Sequence, residues 1–301
     1  MRVIRSVAEL RDFVRHARGA GCTVGLVPTM GALHAGHLSL ITASSQRGHD
    51  HVTIVSSFVN PRQFGDSGDL AAYPKTEQQD IALAEEAGAE VLFVPTVDEV
   101  YPTGFATEVR ISGDLTSRLE GAHRGAAHFH GVTTVVTKLL NMVQPDVAFF
   151  GAKDAQQALV VQRLVTDLNL PVEISVQPTI RETDGLAMSS RNVRLSADER
   201  VVAAAIPAAL SAAAAIAFSG EHDVATIVAA ATEKLRAAGL TAEYLTVVDP
   251  ETLRDRTALD GRSLLVAAVP VGPVRLLDNV VLEPTAAPSS SPSHQTVVTE
   301  G

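Results

Sequence analysis

The chain has 301 residues, room for one large or two modest domains, and 46 % of them are apolar, enough for a real core. A charged fraction of 19 % argues against global disorder. The net charge of −10 argues against a nucleic-acid or anionic-membrane partner, since phosphate attraction needs a basic face, so an anionic substrate needs a local cluster of Lys, Arg, His and backbone N–H groups.

Residues 7–18 have helical apolar spacing. Residues 22–27 read as a short strand ending at Pro28, 38–46 as a helix, and 51–59, rich in Val and Ile, as a buried strand. A helix over 76–87 is stopped by Gly88, and a strand over 90–94 is ended by Pro95. A helix over 132–142, a strand over 147–150, a helix over 155–168 and a strand over 172–176 continue the alternation. The pattern predicts an α/β fold: a Rossmann-like parallel sheet with helices on both faces and ligands at the carboxyl ends of its strands.

The character changes after about Glu182. An Ala-rich helical stretch over 196–218, kinked or interrupted near Pro207, precedes a helix over 224–237 and strands over 244–248, 263–269 and 274–282. The expected division is an N-terminal domain over 1–183, a smaller α+β C-terminal domain over 184–284 and a disordered Pro/Ser/Thr-rich tail over 285–301. Cys22 is the single cysteine, so no internal disulfide can form, which fits a reducing cytoplasm. Neither a signal peptide nor a membrane-spanning segment is expected.

Four segments carry chemistry. In Pro28-Thr-Met-Gly-Ala-Leu-His34-Ala-Gly-His37, two histidines three apart open a helix just after a strand. Free N–H groups and the positive dipole end make such a position a phosphate site, and imidazoles there can donate to phosphate oxygens. The plain alternative is a surface pair. A metal pair would have only two ligands. In Ser56-Ser-Phe-Val-Asn60-Pro-Arg-Gln63-Phe64, Asn60 and Gln63 follow a strand and suit a small polyhydroxy substrate, or form only a polar loop. In Phe150-Gly151-Ala152-Lys153-Asp154-Ala155-Gln156-Gln157, a lysine at a strand–Gly–helix turn can reach phosphates, with Gln157 one turn on; a solvated surface charge is the alternative. Met188-Ser189-Ser190-Arg191-Asn192 makes a phosphate clamp or an ordinary capping loop.

Taken together, these segments resemble the pantothenate synthetase (pantoate–β-alanine ligase) family, as do Asp69-Leu-x-x-Tyr73-Pro, Gly185-Leu-Ala-Met-Ser-Ser-Arg-Asn and Arg275-Leu-Leu-Asp-Asn279, over roughly residues 1–284. The His-x-Gly-His element alone is shared with other nucleotidyltransferases and class I aminoacyl-tRNA synthetases. The resemblance implies a cytoplasmic homodimer with a small C-terminal lid that condenses (R)-pantoate with β-alanine through a pantoyl adenylate, using ATP that carries Mg2+ and no confident protein metal site. It implies that His34 and His37 bind ATP phosphates, with His37 as proton donor, and that Met30 and the Gly31 backbone line the ATP site. Gly151, Lys153 and Asp154 would contact ATP, Ile180 would lie beside adenine, and Met188, Ser189, Ser190 and Arg191 would clamp phosphate, with Lys153, Ser189 and Arg191 joining the histidines in catalysis. Gln63 and Gln157 would hold pantoate near Asn60 and His128, and Gln63 would also meet β-alanine. Three departures stand out: Ala152 where the family usually has Glu or Gln, Ala155 where an aromatic is usual, and Arg124-Gly-Ala-Ala-His128-Phe129, one residue longer than usual and without proline. They are expected to weaken activity at most. The alternatives are another adenylyl- or cytidylyltransferase, or a nucleotide-binding homologue that has lost catalysis.

Overall fold

A computed structural model describes residues 1–64, 70–71, 73–74 and 76–284. Asp69 of the family-like motif and the tail over 285–301 lie outside the described residues.

Six strands form the first sheet: β1 (Arg2–Ile4), β2 (Thr23–Thr29), β3 (His51–Ser57), β4 (Val91–Phe93), β5 (Val147–Gly151) and β6 (Glu173–Gln177), in the order β1-β4-β3-β2-β5-β6. Every neighbouring pair is parallel. Val24, Leu26, Val27, Ile54 and Val55 are fully buried, as expected of strands covered on both faces. The covering helices used below are α1 (Val7–Gly19), α2 (Ala35–Ser45), α3 (Glu77–Glu86), α4 (Ala126–Val143) and α5 (Ala155–Asp167).

Strand order reverses between β2 and β5, the topological switch at which open α/β sheets bind ligands. Pairing of β2 with β5 stops at Leu26↔Ala148, whereas β2–β3 continues to Thr29↔Ser57 and β5–β6 to Gly151↔Gln177. The two central strands therefore part at their carboxyl ends, and the His34 and Lys153 segments flank the gap.

The second sheet is antiparallel, β7 (Tyr244–Val248), β8 (Ser263–Val271) and β9 (Val274–Leu282). With α6 (Ala197–Ala203), α7 (Ala205–Phe218) and α8 (Val224–Ala237) it encloses a separate core around Ile206, Leu210, Ile227, Leu235 and Leu265. The α/β and α+β expectations both hold.

Several local expectations are corrected. α2 starts at Ala35 rather than at residue 38, because His34 caps it: its Nδ1 accepts from the Gly36 N–H at 3.1 Å. The stretch from Arg124 to His128, one of the departures from the family pattern, joins two helix ends. A short helix, Glu120–Arg124, and the first turn of α4 meet at Gly125, whose φ of +79° swings the chain between them. Without a proline, Ala126 and Ala127 extend α4 six residues beyond its expected start. The Ala-rich helix breaks at Ala204, where Pro207 lacks the N–H that would bond the Ala203 carbonyl. Residues 197–218 are, contrary to expectation, long and apolar enough to cross a membrane by length and composition. Their stripe of Ala203, Ile206, Ala209, Leu210, Ala213 and Ala217 is buried in the second core, the use a core helix makes of such a stretch.

Candidate active site

A cavity of about 280 Å3 opens at the switch between β2 and β5. Met30, His34, His37, Asn60, Gln63, His128, Gly151, Lys153, Asp154, Gln157, Ile180 and Met188 through Arg191 all line it. Gly31 does not. Its N–H is instead taken by Thr29 Oγ1 at 3.1 Å.

The two histidines lie face to face at the head of α2, ring centroids 4.1 Å apart and planes tilted by 35°. His34 Nδ1 is the acceptor of the cap bond, so in the neutral ring the proton sits on Nε2. Among the described residues His37 Nδ1 is buried without a hydrogen-bond partner. Burial, then the Lys153 ammonium, lowers the His34 pKa to about 4. Burial, then His34 and Lys153, lowers His37 to about 3. Both rings are therefore neutral hydrogen-bond donors at pH 7.

Across the gap, the Gly151–Ala155 turn supplies charge. Lys153 Nζ lies 3.3 Å from Asp154. Burial pushes the Asp154 carboxyl up, but Lys153, with Arg191 and Arg124 behind it, outweighs that and holds it below the ordinary range. On the third wall, the Asn60 amide orientation is fixed by backbone groups: Oδ1 accepts from Arg62 N–H, and Nδ2 donates to the Gly131 carbonyl at 3.1 Å. Asn60 Nδ2 also donates to Gln63 Oε1 at 3.0 Å, which leaves the Gln63 NH2 on the other side, 3.1 Å from Met30 Sδ. Gly131 permits this closeness, because a Cβ there would meet the Arg62 carbonyl at 2.3 Å. His128 Nδ1 donates to the Gln63 carbonyl at 2.8 Å, and burial lowers its pKa.

The fourth wall crosses the sheet-to-sheet boundary. Met188 N–H donates to the Ile180 carbonyl, and the Ser189 Oγ accepts from Arg191 N–H, forming the clamp-like turn. Tyr73 reaches Ser190 with its hydroxyl, and burial raises its pKa.

The sequence did not mark Glu120, Tyr244 or Asn279 as a residue with a job. Glu120 accepts from Arg275 at 2.6 Å, Arg124 at 2.9 Å and the Tyr244 hydroxyl at 3.0 Å. Asn279 Nδ2 donates to the carbonyls of Ala152 and Lys153, both at 2.9 Å. Only the family-like Arg275–Asn279 string hinted at the latter.

Among the described residues three carboxylates line the space, Glu120, Asp154 and Asp278, which bears on any cation. Glu120 is taken by arginines and Asp278 by Arg181, whereas among the described residues the ion pair of Asp154 is with its neighbour Lys153. Among the described residues no group of three His, Cys, Asp or Glu is placed to hold a metal.

Comparison with known proteins places these observations. The model of the pantoate-beta-alanine ligase family matches residues 2–281. The pantothenate synthetase of Moorella thermoacetica is 48 % identical over 284 residues, covering 94 % of this chain and 99 % of its own. A crystal structure of pantothenate synthetase from Thermus thermophilus superposes with a TM-score of 0.86 at 44 % identity, covering 93 % of this chain and 99 % of that one. The pantoate-beta-alanine ligase of Francisella tularensis, solved in complex with beta-gamma ATP and beta-alanine, superposes with a TM-score of 0.77 at 32 % identity, over 93 % and 97 %. A family model spanning nearly the whole chain, and relatives matched over their full length, carry the conclusion that this chain belongs to the pantoate–β-alanine ligase family.

Proposed function

We propose that the cavity at the β2/β5 switch is where this ligase carries out two steps. In the first, a carboxylate oxygen of (R)-pantoate attacks the α-phosphorus of ATP, the bond to the bridging oxygen breaks, and pyrophosphate leaves. In the second, the β-alanine amine attacks the acyl carbon of the pantoyl adenylate and AMP leaves. A free carboxylate is a poor acyl donor, and the mixed anhydride supplies the leaving group.

The observation that carries this reading is the pair of neutral histidines facing Lys153 across the parted strands. His34 and His37 donate N–H hydrogen bonds to phosphate oxygens as charge grows in the transition state, while Lys153 and Arg191 supply fixed positive charge. Met30, Gly151, Asp154 and Ile180 shape the nucleotide site, and Met188 to Arg191 close on the phosphates. The Gln63 NH2, aimed by Asn60, donates to pantoate oxygens together with Gln157, and His128 borders that pocket. Mg2+ brought in with ATP would offset negative charge on the departing pyrophosphate, and Asp154, a lining carboxylate ion-paired to Lys153 rather than to an arginine among the described residues, would help to hold it. The region over 184–284 acts as a lid on the nucleotide domain over 1–183. The enzyme works in the cytoplasm as a homodimer, for which sedimentation should give twice the chain mass.

Isotope exchange between pyrophosphate and ATP tests the chemistry. Exchange should require pantoate, and AMP should appear only when β-alanine is added. Exchange without pantoate indicates a different nucleotidyltransferase. ATP binding with no exchange indicates a homologue that has lost catalysis.

A further inference from the structure

Asp80 sits in the first turn of α3, is 2 % exposed, and does not line the cavity. Its two oxygens are spent on the turn that leads from β2 into the histidines. Oδ2 accepts from Ala32 N–H at 3.0 Å and Oδ1 from Leu33 N–H at 2.8 Å. Oδ1 also accepts from the Thr76 hydroxyl at 3.2 Å. A carboxylate near a helix N-terminus is favoured by the dipole, which offsets part of the cost of burying it.

The turn it holds is unusual. Gly31 and Ala32 have successive left-handed backbones, φ +81° and +51°. For alanine that conformation costs on the order of 1 kcal/mol, so it persists only where the surroundings impose it. Two consecutive N–H groups converging on one carboxylate are such an imposition. Packing adds to it: a Cβ on Gly31 would lie 3.0 Å from Asp80 Oδ2 and 2.8 Å from Ser57 Oγ. Leu33, bonded to Asp80, directly precedes His34, the cap of α2, and His37 follows within the first turn.

We propose that Asp80 is a positioning residue for the ligase reaction, clamping the Gly31–Leu33 turn so that His34 and His37 face the phosphates of ATP. This rests on the reading of those histidines as phosphate-handling groups. Asparagine is the informative replacement. Its amide oxygen can satisfy one of the two N–H groups, and its NH2 then points at the other, so one donor is unmatched and the turn must shift.

Asp80→Asn should lower kcat of pantoate-dependent ATP–pyrophosphate exchange by about ten- to a hundredfold, the scale of a misplacement near 1 Å, while KM for ATP changes less. The imidazole Cε1–H resonances of His34 and His37 should move in the same variant. Ile81→Val, on the same helix and packed on the core, trims stability without touching the polar turn and should leave both readouts in place. The proposal is overturned if Asp80→Asn keeps more than half of the exchange rate, if the two histidine resonances stay put, or if Ile81→Val lowers exchange as far. Absence of exchange in the wild type would sink the phosphate-handling reading instead, and the resonances would still decide whether Asp80 places the rings. If Asp80→Asn does not fold, Thr76→Ala removes one of the three bonds and should shift the same resonances by less; unmoved resonances overturn the proposal.

Discussion

The histidine pair owes its chemistry to burial as much as to position. An exposed imidazole would be partly cationic at neutral pH, whereas here the pKa values of about 4 and about 3 keep both rings uncharged. Neutral rings give one N–H donor each, with the His34 proton directed to Nε2 by its own cap bond. Removing such a donor from a developing phosphate charge costs a factor on the order of 10² to 10³, so His37→Ala should slow pyrophosphate exchange by that much, and an unchanged rate would remove His37 from the first step. The same burial sets a pH dependence of stability. Each ring titrates near 6.5 when unfolded and at about 4 or about 3 when folded, so between those values the unfolded chain binds more protons and stability rises with pH. The penalty is absent above pH 7 and grows as pH falls from 6.5 toward 4. His37→Gln removes one of these groups, so its melting temperature should fall less steeply than wild type between pH 7 and pH 4.5. Equal slopes would mean that the wild-type ring is not held neutral.

Among the elements, the short helix Glu120–Arg124 joins the nucleotide sheet to the second sheet. Glu120, with its side chain 10 % exposed, collects Arg275 and Tyr244 from the second sheet and Arg124 from its own helix. Burial raises the Glu120 carboxyl pKa, but Arg275 and Arg124 together outweigh it and keep the group ionised. Glu120→Ala leaves two arginines facing a half-dry wall. Removing one partner of a buried pair costs roughly 3 kcal/mol, which for a chain this long should lower the melting temperature by about 5 °C or more; Glu120→Gln, which keeps some hydrogen bonds, should lose less. A calorimetric scan showing no difference between Glu120→Ala and wild type would mean that the cluster does not tie the sheets. No local pattern announces such a contact, since Glu120 and Arg275 are 155 positions apart. The parallel sheet was legible because doubly covered strands such as β2 and β3 leave continuous apolar runs, and the histidine, Lys153 and Met188–Arg191 segments because each combines glycine or hydroxyl residues with donors at an element boundary. β1 was missed because three residues carry no periodicity. The true starts of α2 and α4 were missed because neither His34 nor Gly125 announces a helix as Ser, Thr or Asp would.

At the scale of the molecule, the second sheet reaches into the wall of the cavity that carries Lys153. Asn279, on β9, holds the two carbonyls that flank the Lys153 Cα, those of Ala152 and of Lys153. Asp278 beside it bonds the Asn279 N–H and pairs with Arg181, so the group that aims Lys153 is itself held from both sides. An acidic chain gathers Lys153, Arg191 and two histidines around one cavity, and part of the support for Lys153 comes from the second sheet. Asn279→Ala leaves two carbonyls without their donor. At about 1 kcal/mol net for each hydrogen bond, ATP affinity should fall by about tenfold or somewhat more, with a smaller effect on pantoate, whose proposed contacts lie on Gln63 and Gln157. The matching control is truncation after Pro284, beyond the end of β9 and of the family match at residue 281, which should leave ATP affinity within twofold. Calorimetric titration of ATP into both proteins separates the two. Equal affinities in Asn279→Ala and wild type would show that the nucleotide domain places Lys153 unaided, whereas a loss in Asn279→Ala alone would make the two sheets one site.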